Sequence, residues 1–267
     1  FDPRDQWQFI AGGKERKAGL PSFRYRQLKL VPYQGKLRLF ITTRRGVWLH
    51  DDLKALLKGQ GKFRNINRNS PLEHLYTRHI FPLDPHHVIV SADWVSPTFK
   101  GVWEGKEQAD GKWTWKHLRK GNGNACVFTA NGHPVIVNIV ATNTSQRFIF
   151  ERSDDLGKTW QPMFDFTTIR KIREPSFFRE TIMNPSPGGI VHWQGKLYFS
   201  VNLGGWSRGY GMFVAASLQQ KQPDIRDITD NLYFPSTVSL RVRTDAEGVT
   251  WLYASTNGIG LWRRKLP

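Results

Sequence analysis

One short pattern returns along this chain: a glycine, an apolar residue, then an aromatic, at the start of what reads as a strand. Gly46-Val47-Trp48, Gly101-Val102-Trp103, Gly211-Met212-Phe213 and Gly260-Leu261-Trp262 carry it. Gly35-Lys36-Leu37 and Gly195-Lys196-Leu197 mark a matching point one strand earlier. A glycine of this kind closes a polar loop where φ must turn positive, and the residues after it alternate or run apolar as half-buried or buried strands do. Five units follow one another, over residues 37–50, 88–118, 135–166, 196–227 and 250–264. Their spacing, roughly 47 to 61 residues, suits four-stranded blades arranged in series. Helical periodicity is nearly absent, with one or two turns expected over residues 51–58. A parallel α/β fold needs amphipathic helices between its strands, and the sequence does not supply them.

These observations predict an all-β chain, a five-bladed β-propeller forming a single domain over residues 1–267. A further sheet hidden in residues 53–80 would make six blades. The last unit ends on a third strand, so residues 5–10 are expected to add its outer strand and close the ring, which removes free edges. Residues 14–22 and 170–187 read as long loops between blades.

Residues 151–160, Glu-Arg-Ser-Asp-Asp-Leu-Gly-Lys-Thr-Trp, place Ser153, Asp155, Gly157, Thr159 and Trp160 in the pattern S-x-D-x-G-x-T-W. Asp155 can accept from nearby backbone N–H groups, Gly157 can take φ > 0, and the two hydroxyls can close the loop. Trp160 is expected to start the next strand. The pattern resembles the Asp-box (BNR repeat) turn of the sialidase-like β-propeller superfamily, and Phe23-Arg24-Tyr25-Arg26 is similar to that family's first strand, with Tyr25-Arg26 in place of its Ile-Pro. The resemblance implies a structural role for the turn. It also implies three arginines on a ligand carboxylate, for which Arg24, Arg179 and Arg241 stand at strand openings. For the family's acid, helper and nucleophile, it points to Asp93, Glu180 and Tyr210.

The residues themselves point more strongly to binding. With 39 Lys and Arg against 22 Asp and Glu, the net charge is +17, which favours acidic partners. The loops of the expected ligand face hold Arg44, Arg45, Trp94, Trp206, Arg208 and Tyr210, rich in guanidinium and aromatic groups and poor in acids. Arginine recognises carboxylate, sulfate and phosphate in planar, bidentate fashion, and an exposed aromatic face can carry a sugar ring. The expected partner is an anionic glycan or an acidic protein surface, held without catalysis. A sialidase-like glycoside hydrolase and a protein-interaction module, such as an inhibitor or immunity protein, are the alternatives.

Other chemistries fit poorly, and no cofactor is expected. The single cysteine, Cys126, excludes an intrachain disulfide and a thiolate cluster. His86 and His87 are adjacent and so face opposite sides of a strand, and no metal site is expected. The stretch Gly121-Asn122-Gly123-Asn124 lacks the helix and Lys-Ser/Thr of a phosphate loop. The charge fits nucleic acid, but no nucleic-acid-binding module is recognisable. No apolar run reaches the ~20 residues of a membrane helix. The chain begins at Phe1 rather than Met and carries one cysteine; secretion, to a periplasm or cell surface, is the expectation.

Overall fold

The computed structural model describes residues 18–20, 25–93, 98–121, 125–141, 148–165, 186–203, 208–216, 223–232, 237–256 and 260–267. The described residues form five antiparallel sheets in a five-bladed β-propeller arrangement, nearly devoid of helix. The chain divides into two compact units, Phe1–Leu118 and Arg119–Pro267.

The first unit carries two four-stranded sheets. One holds β1 (Tyr25–Tyr33), β2 (Lys36–Thr43), β3 (Gly46–His50) and β4 (Arg64–Asn65), and the other β5 (Tyr76–Asp84), β6 (His87–Asp93), β7 (Gly101–Glu107) and β8 (Trp113–Lys120). Residues 53–80, where a sixth sheet was conceivable, instead hold α1 (Leu53–Leu57), β4, a 3-10 turn Pro71–His74 and the start of β5. Asp52 caps α1 by accepting from the Ala55 N–H at 3.0 Å. Alternation along β2 sends Phe40 to one core, with Val47, Leu49, Ile80 and Val90. Leu39 and Ile41 go to another, with Leu20, Leu56 and Phe63. Burying each such side chain contributes about 1.5–3 kcal/mol, so β2 is held from both faces.

The second unit has a four-stranded sheet of β9 (Ala125–Ala130), β10 (His133–Ala141), β11 (Phe148–Ser153) and β12 (Gln161–Asp165). Next comes β13 (Ser186–Trp193), β14 (Lys196–Leu203), β15 (Arg208–Ala216) and β16 (Asp224–Asp227). The last sheet has three described strands, β17 (Thr237–Thr244), β18 (Thr250–Thr256) and β19 (Leu261–Lys265). Residues 5–10, expected to complete it, lie outside the described residues. Phe150, Phe164, Phe199 and Phe213 form the aromatic centre of one core here, and Leu240, Leu252 and Ala254 anchor another.

Three hairpins share one turn chemistry. Gln34-Gly35, Asn131-Gly132 and Gln194-Gly195 each place two successive residues at positive φ. That is the two-residue turn whose twist matches the flanking strands, and it fixes register.

Candidate functional site

An irregularity recurs near the start of four inner strands. Arg26 is an extra residue between the pairs Tyr25↔Thr43 and Gln27↔Thr42, and Arg78 is extra between Thr77↔Ala92 and His79↔Ser91. Register also shifts between Pro187 and Ile190, and between Thr237 and Ser239. A bulge leaves one backbone group without its ladder partner and re-aims a side chain. In three of the four, a hydroxyl on the second strand supplies the partner. The Gln27 N–H donates to Thr42 Oγ1 at 2.9 Å, the His79 N–H to Ser91 Oγ at 3.2 Å, and the Gly189 N–H to Ser200 Oγ at 2.9 Å.

At this end of the first unit the residues converge on Tyr76, which is 2% exposed. The Arg26 guanidinium lies 4.7 Å from its ring centroid and that of Arg44 lies 5.7 Å from it. The loop bearing Arg44 and Arg45 is tightly fixed. Thr77 Oγ1 donates towards Thr43 O and Gly46 O at 3.0 and 2.8 Å, and the Gly46 N–H donates to Leu75 O at 3.1 Å. The Arg45 N–H donates to Thr43 Oγ1 at 2.9 Å. Gly46 sits at φ +76°, and a Cβ there would lie 2.1 Å from Asn67 Nδ2, so only glycine permits the approach. Arg78 is tied in through its own carbonyl, which accepts from Thr42 Oγ1 at 3.2 Å. Arg44 and Arg45 are exposed, and Arg26 and Arg78 are half-buried. The Arg26 and Arg44 guanidinium groups, held over one ring, suit a carboxylate or sulfate.

Of the residues expected from the sequence, Arg44 and Arg45 belong to this cluster. Arg24, Trp94, Arg179, Glu180 and Trp206 lie outside the described residues, as do the side chains of Asp93 and Arg208. Asp93 pairs in register with Tyr76, which puts its backbone at the same end of the sheet. Arg241 sits on β17, and burial, then the charge of Arg243, lowers its pKa. Tyr210, expected as a nucleophile, is 1% exposed, with its ring 6.0 Å from Phe213 in an aromatic core. A nucleophile must meet its substrate, so that placement argues for packing. Sequence reading missed Arg26, Tyr76 and Arg78 as site residues. The signal available was the repeated Arg one residue before Gln27 and His79, with Thr42 and Ser91 following at similar separations.

The 151–160 turn closes through its carboxylate. Ser153 Oγ donates to Asp155 Oδ1 at 2.8 Å, the Thr159 N–H donates to the same oxygen at 2.9 Å, and Thr159 Oγ1 donates to Oδ2 at 2.7 Å. The Gly157 N–H donates to Ser153 Oγ at 2.8 Å, with Gly157 at φ +83°. The strand begins at Gln161, one residue later than expected. Trp160 ends the turn instead, its indole N–H donating to Gly157 O at 3.1 Å. The Thr159 backbone N–H, then the Thr159 hydroxyl, holds the Asp155 carboxyl at about 2, below its ordinary 3.8. A lowered folded pKa means that this support is present above the unfolded value and is lost as pH falls through about 2. A carboxyl-detected NMR titration is expected to find Asp155 near that value, and T159V to move its midpoint up towards 3.8.

Thr244 to Trp251 forms a second turn of this type. The Val249 N–H donates to Asp245 Oδ1 and the Trp251 indole to Oδ2, both at 2.7 Å, with Gly248 at φ +79°.

At the other end of the first unit lies an ion network. Arg38, 2% exposed, contacts Glu107 Oε2 at 2.6 Å and Asp51 Oδ1 at 2.8 Å, donates to Pro85 O at 2.7 Å, and stacks 3.8 Å from the Tyr33 ring centroid. Arg64 and His86 reach Glu107 at 2.7 and 2.8 Å. Burial pushes the Glu107 carboxyl up, but hydrogen bonds from Arg64, Arg38 and His86 outweigh it and hold it below its ordinary value.

No protein-family model matches the chain, and a search of curated proteins finds no match. Among solved structures, it is similar to an ancestral GH74 enzyme, with a TM-score of 0.79 and 26% identity over 99% of this chain. The chain spans 36% of that enzyme's length. A thermostable family-43 glycoside hydrolase gives a TM-score of 0.50 at 12% identity, over 91% of this chain and 89% of the other. An α-L-arabinanase of Penicillium chrysogenum gives 0.51 at 10%, over 91% and 77%. These last two likenesses concern the fold alone.

Proposed function

We propose that the Tyr76-centred end of the first unit captures an anionic glycan, without catalysis, through Arg26, Arg44, Arg45 and Arg78. The observation that carries this reading is the stacking of two guanidinium groups on one buried ring, at 4.7 and 5.7 Å, beside a hydrogen-bonded loop that presents Arg45. A net charge of +17 supports it by drawing polyanions to the surface. So does the similarity to an enzyme of a glycoside hydrolase class. Carboxylated or sulfated chains are the matching chemistry, and secretion would bring the protein to them. The hydrogen bonds of the 151–160 turn fit its reading as an Asp-box frame with no part in binding.

The test is affinity for polygalacturonate, dextran sulfate and neutral dextran at low and high salt. Binding is expected for the charged polymers only, and it should weaken as salt rises. The exposed double variant R44A/R45A is expected to lose roughly 10- to 100-fold, the equivalent of one or two charge-assisted hydrogen bonds. Equal retention of neutral dextran would overturn the reading. A blank result with all three would turn attention to an acidic protein surface. The GH74 similarity also favours a second reading, glycoside hydrolysis. Product release from a polymer that binds would separate it from capture. That reading does not draw on Tyr210, given its burial.

A further inference from the structure

A pocket of about 220 Å³ opens in the second unit between residues 228–232, after β16, and the β18–β19 pair. Ala254 pairs across the ladder with Trp262, and both residues line it. Met212, Leu252 and Ala254 make an apolar floor, each no more than 4% exposed. Half-buried Trp262 is also part of the lining.

The rim is polar and held in place. Exposed Asn231 and Asp230 stand on a loop whose backbone is bonded at both ends. The Ile228 N–H donates to Met212 O at 2.8 Å, and the Leu232 N–H donates to Thr229 O at 2.9 Å. Arg264 on β19 ion-pairs with Asp230 and donates to Ile228 O at 3.3 Å, tying the edge strand to the loop. That pairing leaves the Asp230–Arg264 side of the rim without net charge; Arg263, also in the lining, places its guanidinium 4.1 Å from the Trp251 ring centroid.

From this geometry we infer that the pocket binds one neutral sugar ring, at a site distinct from the arginine cluster of the first unit. The volume lies below that of pockets for drug-sized ligands, which start near ~300 Å³. It therefore suits a single ring. An indole wall and an apolar floor match the C–H face of a pyranose, while an amide and a neutral ion pair offer donors and acceptors to its hydroxyls. A rim already bonded to its own frame loses little freedom on binding.

The test is a titration of the whole chain with methyl glycosides of neutral hexoses and pentoses, followed by the Trp262 indole N–H resonance in ¹⁵N NMR, assigned with W262F. One or more glycosides are expected to shift that resonance saturably, and raising salt should leave the affinity unchanged. A254L fills the floor and N231A removes the rim amide; each is expected to weaken binding by about tenfold or more. N231A lies at an exposed position and keeps the test valid if A254L disturbs folding. The inference is overturned if no glycoside shifts Trp262, or if the shift persists unchanged in N231A and A254L. Polyanion binding and the R44A/R45A variant report on the first unit separately, so either site can fail alone.

Discussion

Replacing Glu107 by Gln is expected to destabilise the protein by about 3–5 kcal/mol, the usual cost of breaking a buried ion pair from one side. The substitution keeps shape and removes charge. Arg38, 2% exposed, would lose its 2.6 Å carboxylate partner and keep Asp51, itself 48% exposed, as its counter-charge. Urea unfolding measures the loss, and amide exchange along β2 and β7 localises it. R38M combined with E107Q should cost less than the two single changes together, because no charge is then stranded in the interior. The pH dependence follows from the direction of the Glu107 shift. Its folded pKa is lowered, so the stabilisation is complete above the unfolded carboxyl value of about 4.3 and fades as pH falls through the folded one. The gap between wild type and E107Q should therefore narrow in acid. A gap that stays constant down to acid unfolding would mean that the carboxylate charge is not what holds Arg38.

Phe199→Ala is expected to cost about 3–5 kcal/mol for a different reason, lost packing and a residual cavity. Phe199 is 1% exposed and touches three rings: Phe150 at 4.9 Å, and Phe164 and Phe213 at 5.7 Å between centroids. Phe150 and Phe164 are themselves stacked at 4.2 Å, so the cluster has little room to collapse inwards. Phe199→Leu keeps most of the volume and should cost clearly less. Equal losses for Ala and Leu would point to ring-specific contacts rather than volume.

How far the sequence shows this architecture depends on which physical rule governs each segment. Two-residue turns need positive φ at defined places, and Gly35 and Gly195 announce them in the letters alone. Strands such as β14, apolar on both faces, are equally plain. β5 is not, because Tyr76–Asp84 carries Pro82 and two register shifts that break its alternation. Register shifts in β1 and in β5 also hide half of the candidate site. A period of two assigns Arg26 and Arg78 to a face, and the bulge then rotates them off it. Arg44 and Arg45 sit in a loop, where no periodicity is needed to see them. The second carboxylate turn was missed because Asp245 stands one position earlier than Asp155 relative to its Gly and Trp. Both carboxylates nevertheless accept from the N–H four residues on, Thr159 and Val249. Tyr210 is the converse case. Between two glycines it reads as an exposed loop aromatic, yet the long-range packing of β15 on β14 buries it.

A hydroxyl closes three of the four bulges, and this bears on how such a chain can change over generations. Thr42, Ser91 and Ser200 carry the closure, so the inserted residue owes nothing to the ladder through its side chain. That position is Arg26 in one strand and Arg78 in another. Gly189 is an exception, because a Cβ there would come within 2.5 Å of the Leu240 backbone nitrogen. Elsewhere a single codon can rewrite what a blade presents while its sheet stays in place. Substitution at Arg26 or Arg78 therefore leaves the hydroxyl closure of its bulge in place.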